Sequence, residues 1–476
     1  MRYFSGAIVI AGLSLTVLLG GCASSGAKDK VDNYSYIDDK ALEKLDNDLK
    51  QLSDAVYRAD DTGEKALRTS IAEQARRYQG ALISALSDFS STPRRRLAGV
   101  ALGFTGDTSV IGPLIDKIND ADEPESVRQN AVLGLATLGT KLREYPKHDA
   151  LMNTLRAVMD DKDTSPSMRR TAVQAYAAAY DKVLNDSISP LRDRCMSDSD
   201  LSVQVAAINA MGDIEDVSAT TDLIRGLTMP SDEIRIASAI ALGKLPDPNK
   251  TIVPALIEAS QSDEFGDVRR EALNSLTSHF AADPDAVFGA LLFGLSDFDD
   301  SVRESAAFAL ADTADERALD PLIQATGDRA AIVRQAAAEG LPNLVSKEKE
   351  SQAFALVDLL ADQNPLVSRA AQSSLVKITT KNYGDDQSQW RSYFYKAYPA
   401  LDPANAYVGK PKPRMTSNLQ GSGGSRTSGT RTSGSRTSSS GNRTGTSGNR
   451  TGTSGNRTGG TGTRTGTGGN RGTGGR

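Results

Sequence analysis

Cysteine and histidine are almost missing from this chain: Cys22, Cys195, His148 and His279 are the whole supply in 476 residues. That scarcity excludes a disulfide framework and leaves no Cys/His set for a structural zinc. Neither histidine has a neighbouring Ser or Cys motif that would support a triad. Aromatic residues make up 5%, with Trp390 the single tryptophan, whereas alanine is abundant, a composition suited to closely packed helices. The stretch 134–141 imitates a phosphate-binding loop, but its lysine falls one place late and it closes a helix. Asp198, Asp200 and Ser202 have calcium-loop spacing, yet Val203 stands where such a loop needs glycine. Paired acids at 160–161, 299–300 and 385–386 sit at turns and helix starts, where capping accounts for them. No catalytic residue, metal site or cofactor is expected.

Charge of one sign is missing from the far end. Residues 421–476 contain no Asp, Glu or Lys but nine arginines: Arg426, Arg431, Arg436, Arg443, Arg450, Arg457, Arg464, Arg471 and Arg476. Since the whole chain has a formal net charge of −5, an acidic body carries a basic tail. The pentapeptide GNRTG recurs around Arg443, Arg450 and Arg457, and no apolar residue offsets the entropy of ordering. Residues 415–476 are therefore expected to be disordered, and the part from Gly421 to span about 40 Å as a flexible coil. Such a tail suits anionic polymer or lipid through salt-sensitive contacts, or is an inert low-complexity extension. It lacks interleaved aromatics for base stacking, so no specific nucleic-acid recognition is expected.

Long apolar runs are also missing, except at the start. After Arg2, an apolar stretch from Ala7 to Leu19 falls short of the roughly 20 residues of a spanning helix. It ends in Leu19-Gly20-Gly21-Cys22, which resembles the lipobox of bacterial lipoproteins. The resemblance implies cleavage between Gly21 and Cys22, a diacylglyceryl group on the Cys22 thiol, and a fatty acyl group such as palmitate on the new amine. Two or three acyl chains anchor firmly where one does not. Ala23 rather than Asp after the cysteine implies the outer membrane, periplasmic side; the alternative is a plain secretory leader with a chance cysteine. The expected location is membrane-anchored, outside the cytoplasm.

The middle of the chain repeats. With Arg303 as reference, Ala306 and Leu310 follow at three and seven residues, and the frame recurs from Arg95, Arg128, Arg169, Gln204, Arg235, Arg269, Arg334 and Ser368. These nine positions lie 31 to 41 residues apart, the signature of a repeat array. Small Ala and larger Leu share one face of a helix and let neighbours approach. Pro113, Pro254 and Pro321 precede an earlier helix in their units, as suits a first turn. Turn acids between the helices include Asp232, Asp267, Asp300, Asp328 and Asp362. The arginines either grip an acidic ligand or bond inter-helix acids of their own or neighbouring units. The acid just before Val-Arg favours a structural ladder of Arg128, Arg235, Arg269, Arg303 and Arg334 with Asp232, Asp267 and Asp300.

The V-R-x-x-A-A-x-A-L pattern over roughly 90–380 resembles HEAT repeats, in the short bacterial form first associated with phycobilin lyases. The resemblance implies an all-α fold, a right-handed α-solenoid of about nine helical pairs with the second helices lining the concave side. The expected organisation is a signal peptide at 1–21, a tether at 22–39, a helical hairpin cap at 40–89, the solenoid at 90–380, a C-terminal cap and exit at 381–414, and the tail. Tyr383, Trp390, Tyr393 and Phe394 are expected to seal the last repeat, rather than stack on a ligand. The leading functional expectation is a non-enzymatic, lipid-anchored scaffold binding an unidentified protein on its concave face, with the membrane held through Cys22. The alternatives are an envelope-structuring element acting through its arginine tail, and a chromophore lyase, which the export signal disfavours.

Overall fold

A computed structural model describes residues 36–184 and 186–405. Among them are 21 α-helices joined by short 3-10 turns and no strand. The leader, Gly21, Cys22 and the nine tail arginines lie outside the described residues.

Two helices, Asp39–Tyr57 and Asp61–Arg77, open the array as a hairpin, each started by an aspartate whose carboxylate accepts a first-turn amide. The apolar stripe from Leu67 to Leu86 is carried by two helices, because the chain bends at Tyr78 and restarts as Gln79–Leu86. That restart pairs with Thr92–Gly103 to make the first unit. Nine second helices follow the repeat frame: Thr92–Gly103, Glu125–Leu138, Pro166–Ala179, Leu201–Ile214, Asp232–Lys244, Gly266–Ser278, Asp300–Asp312, Ala331–Gly340 and Pro365–Thr379. Their frame alanines and leucines, for example Ala306, Leu310, Ala272 and Leu276, are fully buried. The 41-residue unit carries an extra 3-10 segment, Gly139–Glu144, entered through Gly139 at φ 57°.

Each second helix packs on the next along the whole array, while first helices touch their successors sparingly. The tighter row follows the shorter arc, so the second helices form the inner face of the solenoid. Close approach is built in where small residues meet. A Cβ on Gly134 would stand 2.1 Å from the Gly99 carbonyl oxygen, and one on Gly103 2.3 Å from that of Gly134. At the far end Trp390 and Phe394 are fully buried. The indole donates to the Gly384 carbonyl at 3.0 Å, and Phe354 meets Phe394 edge-on at 5.6 Å. These two rings close the last repeat.

Candidate functional site

The repeat arginines turn between units: Arg95, Arg169, Arg235, Arg269 and Arg303 are buried, and Arg128 and Arg334 are half-buried. The Arg303 guanidinium forks onto Asp328, Nε to Oδ2 at 2.9 Å and Nη2 to Oδ1 at 3.0 Å. Its Nη1 donates to the carbonyls of Asp297 and Phe298 in the preceding turn. Arg235, Arg269 and Arg334 repeat the fork on Asp263, Asp297 and Asp362. Each acid also accepts the amide two residues on, as Asp362 does from Asn364 at 2.8 Å, and so pins the turn before its own second helix. The carbonyl of the same acid receives the next arginine, as Asp263 does from Arg269 and Asp328 from Arg334. An unbroken relay therefore runs from Arg235 to Asp362.

Electrostatics follow the geometry. The Asp362 carboxyl is lowered, first by the Arg334 hydrogen bond, against the opposing effect of burial. Burial works to raise Asp328, but the Arg303 fork, the Ala330 amide and nearby charge together lower it. The guanidiniums of Arg269, Arg303 and Arg334 are raised, mainly by their carboxylate partners.

The ladder differs from the expected one in membership. Asp232, Asp267 and Asp300 are not its acids. They stand in the first turn of the second helix, where a carboxylate favours the helix N-terminus, while the arginines turn inward toward the following unit. Asp267 and Asp300 are exposed, and Asp267 pairs with Arg270 instead. Arg128 makes no fork either; its Nε donates to the Ile118 carbonyl at 3.0 Å, and the acid of the next turn, Asp161, is occupied by Thr164 and Asp163. Arg95 and Arg169, from the repeat frame, do join equivalent buried contacts, on Glu123 and Asp198. Lys117 shares Glu123 at 2.7 Å. Where the frame holds Gln204, its amide donates to the Asp198 carbonyl, and the next turn, Thr228-Met229-Pro230, has no acid to receive a fork. Ser368 ends the relay with a bond to the Leu360 carbonyl. The partner acids sit five or six residues before the following frame position, a regularity visible in the sequence.

With the arginines occupied, the inner face is left to the residues one and five places after each frame position. Val205 and Asn209, Ile236 and Ile240, Arg270 and Asn274, Glu304 and Phe308, and Gln335 and Glu339 are half-buried or exposed there. Lys244 bridges to Asp213 on the preceding inner helix at 2.6 Å. Burial, then Asp300 and Glu339, raises the Glu304 carboxyl against the pull of Arg270. This surface mixes apolar patches with charge.

Among the described residues, no group of three His, Cys, Asp or Glu side chains is placed to hold a metal. His279 Nε2 lies 3.0 Å from the Leu242 carbonyl and His148 Nε2 2.8 Å from Asp186 Oδ2, both in packing positions. Cys195 is buried, and burial pushes its thiol up to about 12. Among the described residues, no helix is long and apolar enough to cross a membrane.

A family model described as HEAT repeats matches residues 149–243, 188–277 and 288–376. The chain carries HEAT repeats. No curated protein matches the sequence. Solved structures share the architecture at low identity. The matched chain of a Kap95:Nup1 complex is 12% identical with a TM-score of 0.50, covering 76% of this chain and 54% of that one. This chain thus spans about half the length of that neighbour. An engineered protein (18% identity, TM-score 0.39, 67% of this chain and 93% of that chain) and the E. coli protein YibA (16%, 0.38, 57% and 92%) also match. The likeness to the Kap95:Nup1 chain concerns the fold alone.

Proposed function

We propose that this HEAT-repeat chain is a non-enzymatic scaffold, held at a bacterial membrane through Cys22, that binds another protein along its inner helix face. The observation that carries the reading is the division of labour in each repeat. The recurring charge of the frame is spent inside the ladder, while the residues one and five places on vary in character from unit to unit and remain open. A surface of that kind selects by shape and local pattern, as protein contacts do, and holds no repeated pocket for a small substrate. Kap95, the fold neighbour, is solved in complex with Nup1, which supports protein binding as the use of such a fold.

Anchoring rests on the Leu19-Gly20-Gly21-Cys22 motif. Labelled palmitate should enter the wild-type protein and not Cys22→Ser, and the variant should leave the membrane fraction. Equal membrane retention of both proteins would remove the anchor from the account. For the face, Asn209→Arg with Asn274→Arg should abolish partner capture with little change in melting temperature, because both side chains are exposed. Unchanged capture would refute it.

A further inference from the structure

The aromatic cap at the end of the array divides into two sets of rings. Trp390 and Phe394 are consumed by the core. Tyr383 and Tyr393 lie outside them, half-buried, and face a hollow of about 640 Å³ lined also by Lys381, Gln389, Ser392 and Lys396. We propose that this hollow is a binding site for an anionic sugar, a short saccharide bearing carboxylate or phosphate groups.

The chemistry of the lining supports that class. The hollow is open on one side, so it suits a ligand held along one face by apolar ring surface and a few polar groups. Tyr383 is braced edge-on against Trp390, centroids 4.9 Å apart, and stands 6.0 Å from the Tyr393 ring. The two ring planes are 47° apart, and both rings are held by neighbouring aromatics, so their apolar surface is available to the C–H groups of a pyranose at little cost in side-chain entropy. Lys381 and Lys396 are exposed, and neither makes an ion pair with a described residue. Two carboxylates near the hollow take their hydrogen bonds from other side chains and form no ion pair with these lysines. Glu350 receives the hydroxyls of Tyr393 and Tyr398, and Asp386 accepts from Gln389 and Ser388. The two ammonium groups are left to face solvent beside the rings. Ser392 and Gln389 add a hydroxyl and an amide that suit sugar hydroxyls. The site is separate from the inner helix face, so it stands or falls apart from the scaffold reading.

Calorimetric titration of the full chain with digalacturonate, and with maltose as an uncharged saccharide of the same ring number, tests the proposal. Digalacturonate should saturate at millimolar concentration or below, and maltose should bind about tenfold more weakly or worse. Lys381→Gln with Lys396→Gln should weaken digalacturonate about tenfold and leave maltose unchanged, whereas Lys377→Gln, outside the hollow, should change neither by more than about twofold. Both lining lysines are exposed, so melting temperature should hold and report on folding. A glucose 6-phosphate titration separates phosphate from carboxylate as the preferred anion. No saturation by either anionic sugar, or equal binding by the double variant, would overturn the site.

Discussion

Removing Arg303 should break the relay at its centre, and the structure sets the size of the effect. Arg303→Ala deletes two charge-assisted bonds to Asp328 and two to the carbonyls of Asp297 and Phe298. The Arg303 side chain is 4% exposed and that of Asp328 16%, so the carboxylate is left largely out of water with the Ala330 amide as its remaining bond. Breaking a buried pair from one side costs about 3–5 kcal/mol, and the residual exposure of Asp328 places this case near about 3 kcal/mol. Arg128→Ala is the matched control, since it loses one bond to the Ile118 carbonyl and should cost about 1 kcal/mol. Urea unfolding gives the totals. Because repeat arrays lose stability unit by unit, amide exchange should show the loss concentrated in the helices flanking the 297–299 and 328–330 turns. Adding Asp328→Ala to Arg303→Ala should cost less than the sum of the single changes, with a coupling of about 1–3 kcal/mol. Equal destabilisation by Arg303→Ala and Arg128→Ala, together with an additive double variant, would refute the ladder as a stabilising element.

Three further outcomes follow from the same geometry. Gly134→Ala drives a methyl into the Gly99 carbonyl oxygen and should destabilise the amino-terminal units by about 3 kcal/mol, the upper end of ordinary overpacking, read as a lowered urea midpoint. The Asp362 carboxyl is depressed by Arg334, so its contribution is present above the unfolded-state carboxyl pKa and is lost as pH falls through the lower folded value. Stability measured from pH 5 downward should therefore drop less steeply in Arg334→Ala than in the wild type. Cys195 is buried with its thiol pushed up to about 12; in a Cys22→Ser background it should resist a thiol reagent at pH 8 until denaturant is added, and rapid native labelling would contradict its packing.

Much of the fold was legible because one helical face carries Ala and Leu at fixed spacing, and a buried face tolerates little else. Boundaries were less so. The bend at Tyr78 falls two residues before Gly80, and the apolar spacing of Leu67, Ile71, Ala75, Tyr78, Leu82 and Leu86 runs through it unbroken. The ladder was legible as a motif and misread as a set of pairs. Asp300 is near Arg303 in sequence, but stacking brings the turn of the following unit, and with it Asp328, against the guanidinium. Local proximity was the wrong guide; the recurring acid five or six residues before the next frame position was the better one. Arg128 could not be separated from its counterparts, because its exception comes from an unusually long unit and from Asp161 being occupied within its own turn. The inner face was implied by resemblance, but which side chains remain open on it depends on the packing of successive second helices.

The central claim is that the inner helix face, and not the arginine tail, is what binds. The direct measurement places a photo-crosslinking residue at position 240 or 308 on the inner face, or at position 261 on an exposed part of a first helix, in cells, in the full chain and in a chain ending at Leu419. The account predicts the same discrete protein adducts from the two inner positions in both chains, and none from position 261. Adducts that vanish with the tail, or that form equally from position 261, would contradict it.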